Sequence, residues 1–441
     1  MLAVALVLPC ASAATSVAPS SAQGGTASAR LHGPKKPGFT PKPGVLFNKP
    51  LTKKDRFRIN NHIRHSIDAS RSGSKIRIMS WNVKSFPYRR ALIRAHNRGV
   101  SVRVIMSNGL AKHQSAGGDY KVLRRALAKG DKKRTKPMRS WIRACVASCR
   151  GTKGIAHVKF YTFSKAGKAE NVVMVGSANM TEVAAANQWN DMYTLVNKPG
   201  LYKWYQKIFA QAARDRRARP PYRTYKVDSS TVAWVFPYLG KGTVGDPVTN
   251  ILKQVKCRGI QGRAGVKGRT AIRIAQTAIL DDRGLAIARR LKALYNDGCN
   301  IRIAYTVLGP KIKTILKSTS GRGPVPARQV AQDFDGDCSY DRYLHMKDMT
   351  ISGVLGKNTS AHFIYNGTQN WTEVSAFSDE AGFSFFSPRI EVQYATWINR
   401  LFANPPVNPH PDPTCDVDDI AERRVNGQTV LGGAYREVQL N

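Results

Sequence analysis

Two stretches of the chain repeat one pattern of apolar and polar positions. In the first, Lys75-Ile-Arg-Ile-Met-Ser80 alternates with the period of two expected of a half-buried strand. Tyr88–Asn97 follows with Ala91, Leu92 and Ala95 on one helical face, and Gly99 leads into a second alternating run ending at Met106. In the second stretch, Ala271–Ala275, a helix over Asp281–Tyr295 and a strand over Cys299–Tyr305 come in the same order and at matching lengths. Strand, helix, glycine-containing turn, strand, occurring twice, is an internal repeat of domain size. The β-α-β alternation predicts an α/β protein of two similar halves, each a mixed, mostly parallel sheet flanked by helices. A helix over Lys54–Ile67 precedes the first half, and helices over Leu201–Ala213 and Arg389–Phe402 close the two halves.

Between these blocks the texture changes. The apolar run Leu2–Leu8 followed by Ala11-Ser12-Ala13 reads as a signal peptide over residues 1–13, which predicts a secreted protein. Residues 14–44 form a flexible basic leader, 45–215 the first half, 216–230 a charged, proline-containing linker, 231–403 the second half and 404–441 a tail. Six cysteines follow the leader: Cys145, Cys149, Cys257, Cys299, Cys338 and Cys415. An even number in an exported chain predicts disulfides, and Cys145 and Cys149 are close enough to pair locally. No CxxC pair suggests a metal site, and no uncharged apolar stretch is long enough to span a bilayer.

The 441 residues carry a formal charge of +42 and are 42% hydrophobic, enough to fill two cores. Such a charge attracts polyanions: nucleic acid, anionic lipid surfaces or wall polymers. A basic segment from Lys129 to Lys153 would rim the entrance to the chemistry described next, with Trp141 and Trp371 as aromatic candidates that more simply serve the core. Asp333-Phe-Asp-Gly-Asp337 has its glycine too early for a calcium loop and lacks the bidentate glutamate, so it reads as a polar loop.

Each half also carries His-x-Lys: His157-Val158-Lys159 and His345-Met346-Lys347. Each pair is followed by an apolar strand and a small-residue turn, Gly176-Ser177-Ala178-Asn179 and Gly367-Thr368-Gln369-Asn370, and then by acidic residues at Asp191 and at Asp379-Glu380. One His-x-Lys alone means little. Two copies in the same order, at matching points of a repeat, point to shared chemistry. Two lysines and the amides of Asn179 and Asn370, with the hydroxyls of Ser177 and Thr368, suit the equatorial oxygens of a phosphodiester. One histidine can attack phosphorus while the other protonates the leaving alcohol. Asp191 and Glu380 are candidates to orient an imidazole.

These motifs resemble those of the phospholipase D superfamily, over roughly residues 45–403. The resemblance implies two α/β halves around one active site, a covalent phosphohistidine formed on His157, His345 as general acid, and no metal or organic cofactor. It further implies a secreted, monomeric phospholipase D-type hydrolase acting on a phospholipid head group. The alternatives are a secreted nonspecific nuclease and a non-catalytic polyanion-binding wall protein. The partners expected are thus a phospholipid or other anionic phosphodiester, with peripheral membrane or nucleic-acid contact through the basic surface. The family's motif also has an aspartate about five residues after the lysine; here Ser164 and Ser352 stand at those places, and Thr368 stands where the family has its second serine.

Overall fold

The computed structural model describes residues 38–113, 118–238, 245–336, 340–410, 422–425 and 428–431. Two sheets carry the fold. The first has seven strands in the spatial order Gly44–Phe47, Asp191–Leu195, Ala169–Gly176, Phe160–Ala166, Lys75–Met79, Ser101–Ser107, Trp141–Cys145. The second has nine, and its core runs Ala381–Phe386, Asn358–Gly367, Lys347–Leu355, Ala271–Ile279, Asn300–Leu308, Ala327–Gln329, the order of the first sheet from Asp191–Leu195 onward. The repeat read from the sequence is therefore a repeat of topology.

The sheets are mixed, as expected, but parallel pairing is confined to the three strands at one side of each, such as Lys75–Met79 with Ser101–Ser107 and Ala271–Ile279 with Asn300–Leu308. The other pairings are antiparallel, so the expectation of mostly parallel sheets is corrected. The cause is local. After each His-x-Lys the strand turns back through a two-residue Gly-Lys hairpin, Gly167-Lys168 and Gly356-Lys357, with Gly φ of +59° and +62°. A two-residue turn can join only antiparallel neighbours, whereas a parallel pair needs a crossover helix. The expected linker also holds a strand: Arg223–Lys226 pairs with Thr231–Val235 at the edge of the second sheet.

Three apolar layers fix the sheets. Helices Arg58–Asp68, Phe86–Asn97 and Asp119–Ala128 cover the outer face of the first sheet through Ile63, Ile67, Leu92 and Leu123. Helix Asp281–Asn296 covers that of the second through Ile287, Leu291 and Leu294. The central layer is shared. Tyr205, Ile208 and Phe209 of helix Pro199–Ala212 and Tyr394, Ile398 and Leu401 of helix Pro388–Ala403 join Phe160, Val175, Ile364 and Phe383 from both sheets. The halves are thus held together by a continuous core.

Two disulfides are formed, Cys145–Cys149 and Cys257–Cys299. Cys338 and Cys415, like the expected signal peptide and most of the expected basic leader, lie outside the described residues. Among the described residues no helix is long and apolar enough to cross a membrane.

Candidate active site

Both His-x-Lys pairs sit where a strand begins. His157 and Lys159 lead into Phe160–Ala166, and His345 precedes Lys347–Leu355. All four side chains are buried: His157 is 7% exposed, Lys159 0%, His345 1% and Lys347 1%. Each lysine curls back on its own motif. Lys159 Nζ donates to the carbonyl of His157, and Lys347 Nζ donates to that of His345 at 2.5 Å. One of three ammonium donors is used in each of these bonds.

The two pairs meet across the interface between halves. His157 Nδ1 donates to Glu380 Oε1 of the second half at 2.8 Å. His345 Nδ1 donates to Asn190 Oδ1 of the first half at 2.9 Å. Each imidazole thereby has its tautomer set by the opposite half, leaving Nε2 for chemistry.

The turns supply the frame. Ser177 Oγ donates to Asn190 Oδ1 at 2.9 Å and accepts from Asp191 N at 3.0 Å. In the second half Thr368 Oγ1 donates to Glu380 Oε2 and accepts from Ala381 N at 3.0 Å. The hydroxyl-to-partner spacing is 13 residues in the first half and 12 in the second. Asn190 therefore matches Glu380, and Asp191 matches Ala381. The preceding glycines obey the same match: a Cβ on Gly176 would lie 2.3 Å from Asp191 O, and one on Gly367 2.5 Å from Ala381 O. Only glycine lets these strands approach so closely.

Of the two acidic residues expected to orient histidines, Glu380 is the one hydrogen-bonded to an imidazole. Asp191 is corrected: its carboxylate accepts Ser177 N at 3.1 Å and Tyr394 OH at 2.9 Å, and its neighbour Asn190 holds the imidazole instead. Ser177 and Thr368 aim their hydroxyls at these orienting residues, so they act as supports for the site. Asn179 is fully buried and neither end of its amide meets a hydrogen-bond partner, which suits a group waiting for a phosphate oxygen. Asn370 is buried at the matching turn.

Several residues escaped the sequence reading. Trp81 packs edge-on to His157, centroids 5.6 Å apart, and lies 5.7 Å from the Lys159 ammonium. Gln276 is opposite Lys347 in the sheet register and buried, with both ends of its amide unpaired. Asp348 is buried near Asp191, and burial with that second carboxylate pushes it well above the usual carboxylate range. Only the one-residue spacing difference between the repeats could have flagged Asn190; nothing local marks the others.

Electrostatically the site is crowded with potential cations. Burial, opposed by Glu380 and aided by Lys159 and Lys347, lowers His157 to about 4. Burial lowers Lys159 to about 7. His345 and Lys347 fall well below their ordinary values through burial and the neighbouring lysines. A buried anion among them would reverse each of these shifts.

Elsewhere the expectations resolve more simply. Ser164 and Ser352 cap chain segments away from the imidazoles, accepting Lys75 N at 2.8 Å and Gly265 N at 3.0 Å. Trp371 is core, and Trp141 is half-buried, stacked on Phe209 and flanked by the Arg143 guanidinium at 4.4 Å. In the basic segment Lys132, Lys133, Lys136, Arg139 and Arg143 are exposed, but Arg150 is buried. In the polar loop Asp333 accepts the amide of Gly336, and Asp341 beyond it accepts that of Phe334, while Asp337 lies outside the described residues.

Fold and site together define a two-half protein with one composite His-x-Lys centre. Residues 63–213 match the family model described as cardiolipin synthase, PLD-like domain. No curated protein matches the chain by sequence. Among solved structures it resembles polyphosphate kinase from Porphyromonas gingivalis, with TM-score 0.52, 12% identity and 81% of this chain aligned to 50% of that one. This chain thus spans about half the length of the kinase. Phosphatidylserine synthase from Haemophilus influenzae Rd KW20 aligns with TM-score 0.48, 11% identity, 82% of this chain and 88% of its own. Nuc, a phospholipase D family member from Salmonella typhimurium, aligns with TM-score 0.29, 16% identity, 40% of this chain and 96% of its own.

Proposed function

We propose that the protein is a secreted phosphodiesterase that hydrolyses a phospholipid head-group ester through a covalent phosphohistidine. The carrying observation is the crossed pairing, His157 on Glu380 and His345 on Asn190, which gives two imidazoles different proton acceptors in one buried site.

The chemistry follows from that difference. Glu380 holds the proton on His157 Nδ1 and stabilises the positive charge that grows on the ring as Nε2 attacks phosphorus. The Nε2–P bond forms and the P–O bond to the leaving alcohol breaks. His345, protonated in the substrate complex, passes its Nε2 proton to that oxygen. Lys159, Lys347 and Asn179 bind the equatorial oxygens, where charge accumulates. Water, deprotonated by the now neutral His345, then displaces His157 and regenerates the enzyme. A phosphodiester anion restores the protonation that burial removes from His345 and the lysines, so substrate binding itself prepares the general acid.

Two expectations support a lipid substrate: export, with which the two disulfides agree, and both motifs in one chain. The charge of +42 favours a second reading, a nuclease drawing on phosphate neutralisation. Incubation with labelled phosphatidylcholine and with plasmid DNA, in excess chelator, separates them. Choline release supports the lipid reading, nicked plasmid the nuclease reading, and binding without turnover of either rejects both.

A further inference from the structure

We propose that Asp379 is a positioning residue: held by the loop that the Cys145–Cys149 disulfide closes, it sets where Glu380 meets His157. This rests on the reading of His157 as nucleophile and adds a device that no motif of the site contains.

The disulfide closes a five-residue turn at the end of the first sheet's edge strand, with Cα atoms 5.2 Å apart. Just beyond it, two successive amides point at one carboxylate from the other half. Cys149 N donates to Asp379 Oδ2 at 2.5 Å and Arg150 N to Asp379 Oδ1 at 3.2 Å. The backbone is gripped on both sides of Glu380. Asp379 N donates to Ile155 O at 3.0 Å, two residues before His157, and Phe236 N donates to Glu380 O at 3.0 Å. Arg150 locks the corner from beneath. Its buried guanidinium donates to Phe236 O at 2.7 Å, to Pro221 O at 2.6 Å and to Gln211 Oε1 at 3.1 Å. The first half therefore holds residue 379 through Cys149, Arg150 and Ile155, and the side chain of the next residue reaches His157. Successive amides aimed at one carboxylate require a tight turn, and a short covalent loop narrows the conformations that turn can adopt. Asp379 touches neither imidazole; it acts through Glu380.

The test compares Glu380→Gln, Asp379→Asn, the double variant of both, and Cys145→Ser/Cys149→Ser. Two readouts are taken: hydrolysis of bis(4-nitrophenyl) phosphate, and the His157 Nδ1–H proton resonance, which a short bond to a carboxylate moves downfield. Asp379→Asn and the cysteine variant should each lower kcat about 5- to 30-fold, leave KM within about twofold and move the resonance upfield toward its position in Glu380→Gln. In the Glu380→Gln background Asp379→Asn should add less than about twofold, because residues acting through one contact are not additive. An unmoved resonance in Asp379→Asn, or its full loss repeated in the Glu380→Gln background, would overturn the proposal. Should Asp379→Asn fail to fold, the cysteine variant, which keeps the carboxylate and both amides, decides by the same criteria. If Glu380→Gln itself retains activity, the nucleophile reading fails, and the resonance still reports on the clamp.

Discussion

At matching positions of the repeat, His157 faces a carboxylate and His345 faces an amide. The surroundings are otherwise alike: a lysine folded onto its own histidine carbonyl, a hydroxyl bracing the orienting residue, a glycine pressed against the next strand. A carboxylate stabilises an imidazolium and so favours the ring that must carry positive charge while bonded to phosphorus. An amide oxygen fixes the tautomer but leaves the acquired proton easier to give away. In the proposed mechanism, one acidic side chain in place of an amide divides the labour between two otherwise similar imidazoles.

The strongest way to break this comparison is to remove each histidine. His157→Ala should lower turnover of a natural diester by about 10⁴-fold. His345→Ala should do nearly as much there, but far less with bis(4-nitrophenyl) phosphate, whose leaving group needs no proton; steady-state rates on both substrates check this. Equal losses on both would place the two histidines in one role. Glu380→Gln comes next, with an expected loss of about 10²-fold. Adding Asn190→Asp to it exchanges the two environments, and acid-quenched trapping should then find phosphohistidine at His345 as well as His157.

Smaller effects come from the site's charge. Lys159 binds its proton less readily folded than unfolded, because its value falls from 10.5 to about 7. The Lys159 contribution to stability should therefore be fully present above pH 10.5 and decline as pH drops to about 7, with His157 adding a second decline from 6.5 toward about 4. Inorganic phosphate should offset this. At a hundredfold excess over its Kd it contributes about 2.7 kcal/mol, and the rise in Tm should grow as pH falls, measured by calorimetry at several pH values. A phosphate effect independent of pH would mean that the anion binds elsewhere. The smallest change expected is Ser164→Ala, which removes one hydrogen bond to Lys75 N and should cost about 1 kcal/mol in urea unfolding while leaving kcat unchanged.

That last expectation bears on what could be read in advance. The two serines stand at the places of the family's aspartate; in three dimensions Ser164 accepts an amide of the neighbouring strand and Ser352 one of the loop at Gly265, away from both imidazoles. Asp191 was the natural candidate to orient a histidine because it is acidic and lies near the turn. Asn190 does so instead, since the first half spans one residue more between hydroxyl and orienting side chain than the second. Mostly parallel sheets were inferred from β-α-β alternation, which is blind to the Gly-Lys hairpins that reverse the chain after each motif.

The order of apolar and polar positions by itself determined the duplicated strand–helix–strand frame, and the twofold His-x-Lys with its small-residue turn singled out the two histidines, the two lysines and the turn residues as candidates. Both are local in sequence, set by backbone periodicity and by residue chemistry. Which histidine faces a carboxylate, and what holds that carboxylate still, was decided only by the tertiary structure. Those contacts join residues more than a hundred and fifty positions apart in the chain, His157 to Glu380, His345 to Asn190 and Cys149 to Asp379. They exist because a shared apolar core brings the two halves into one register.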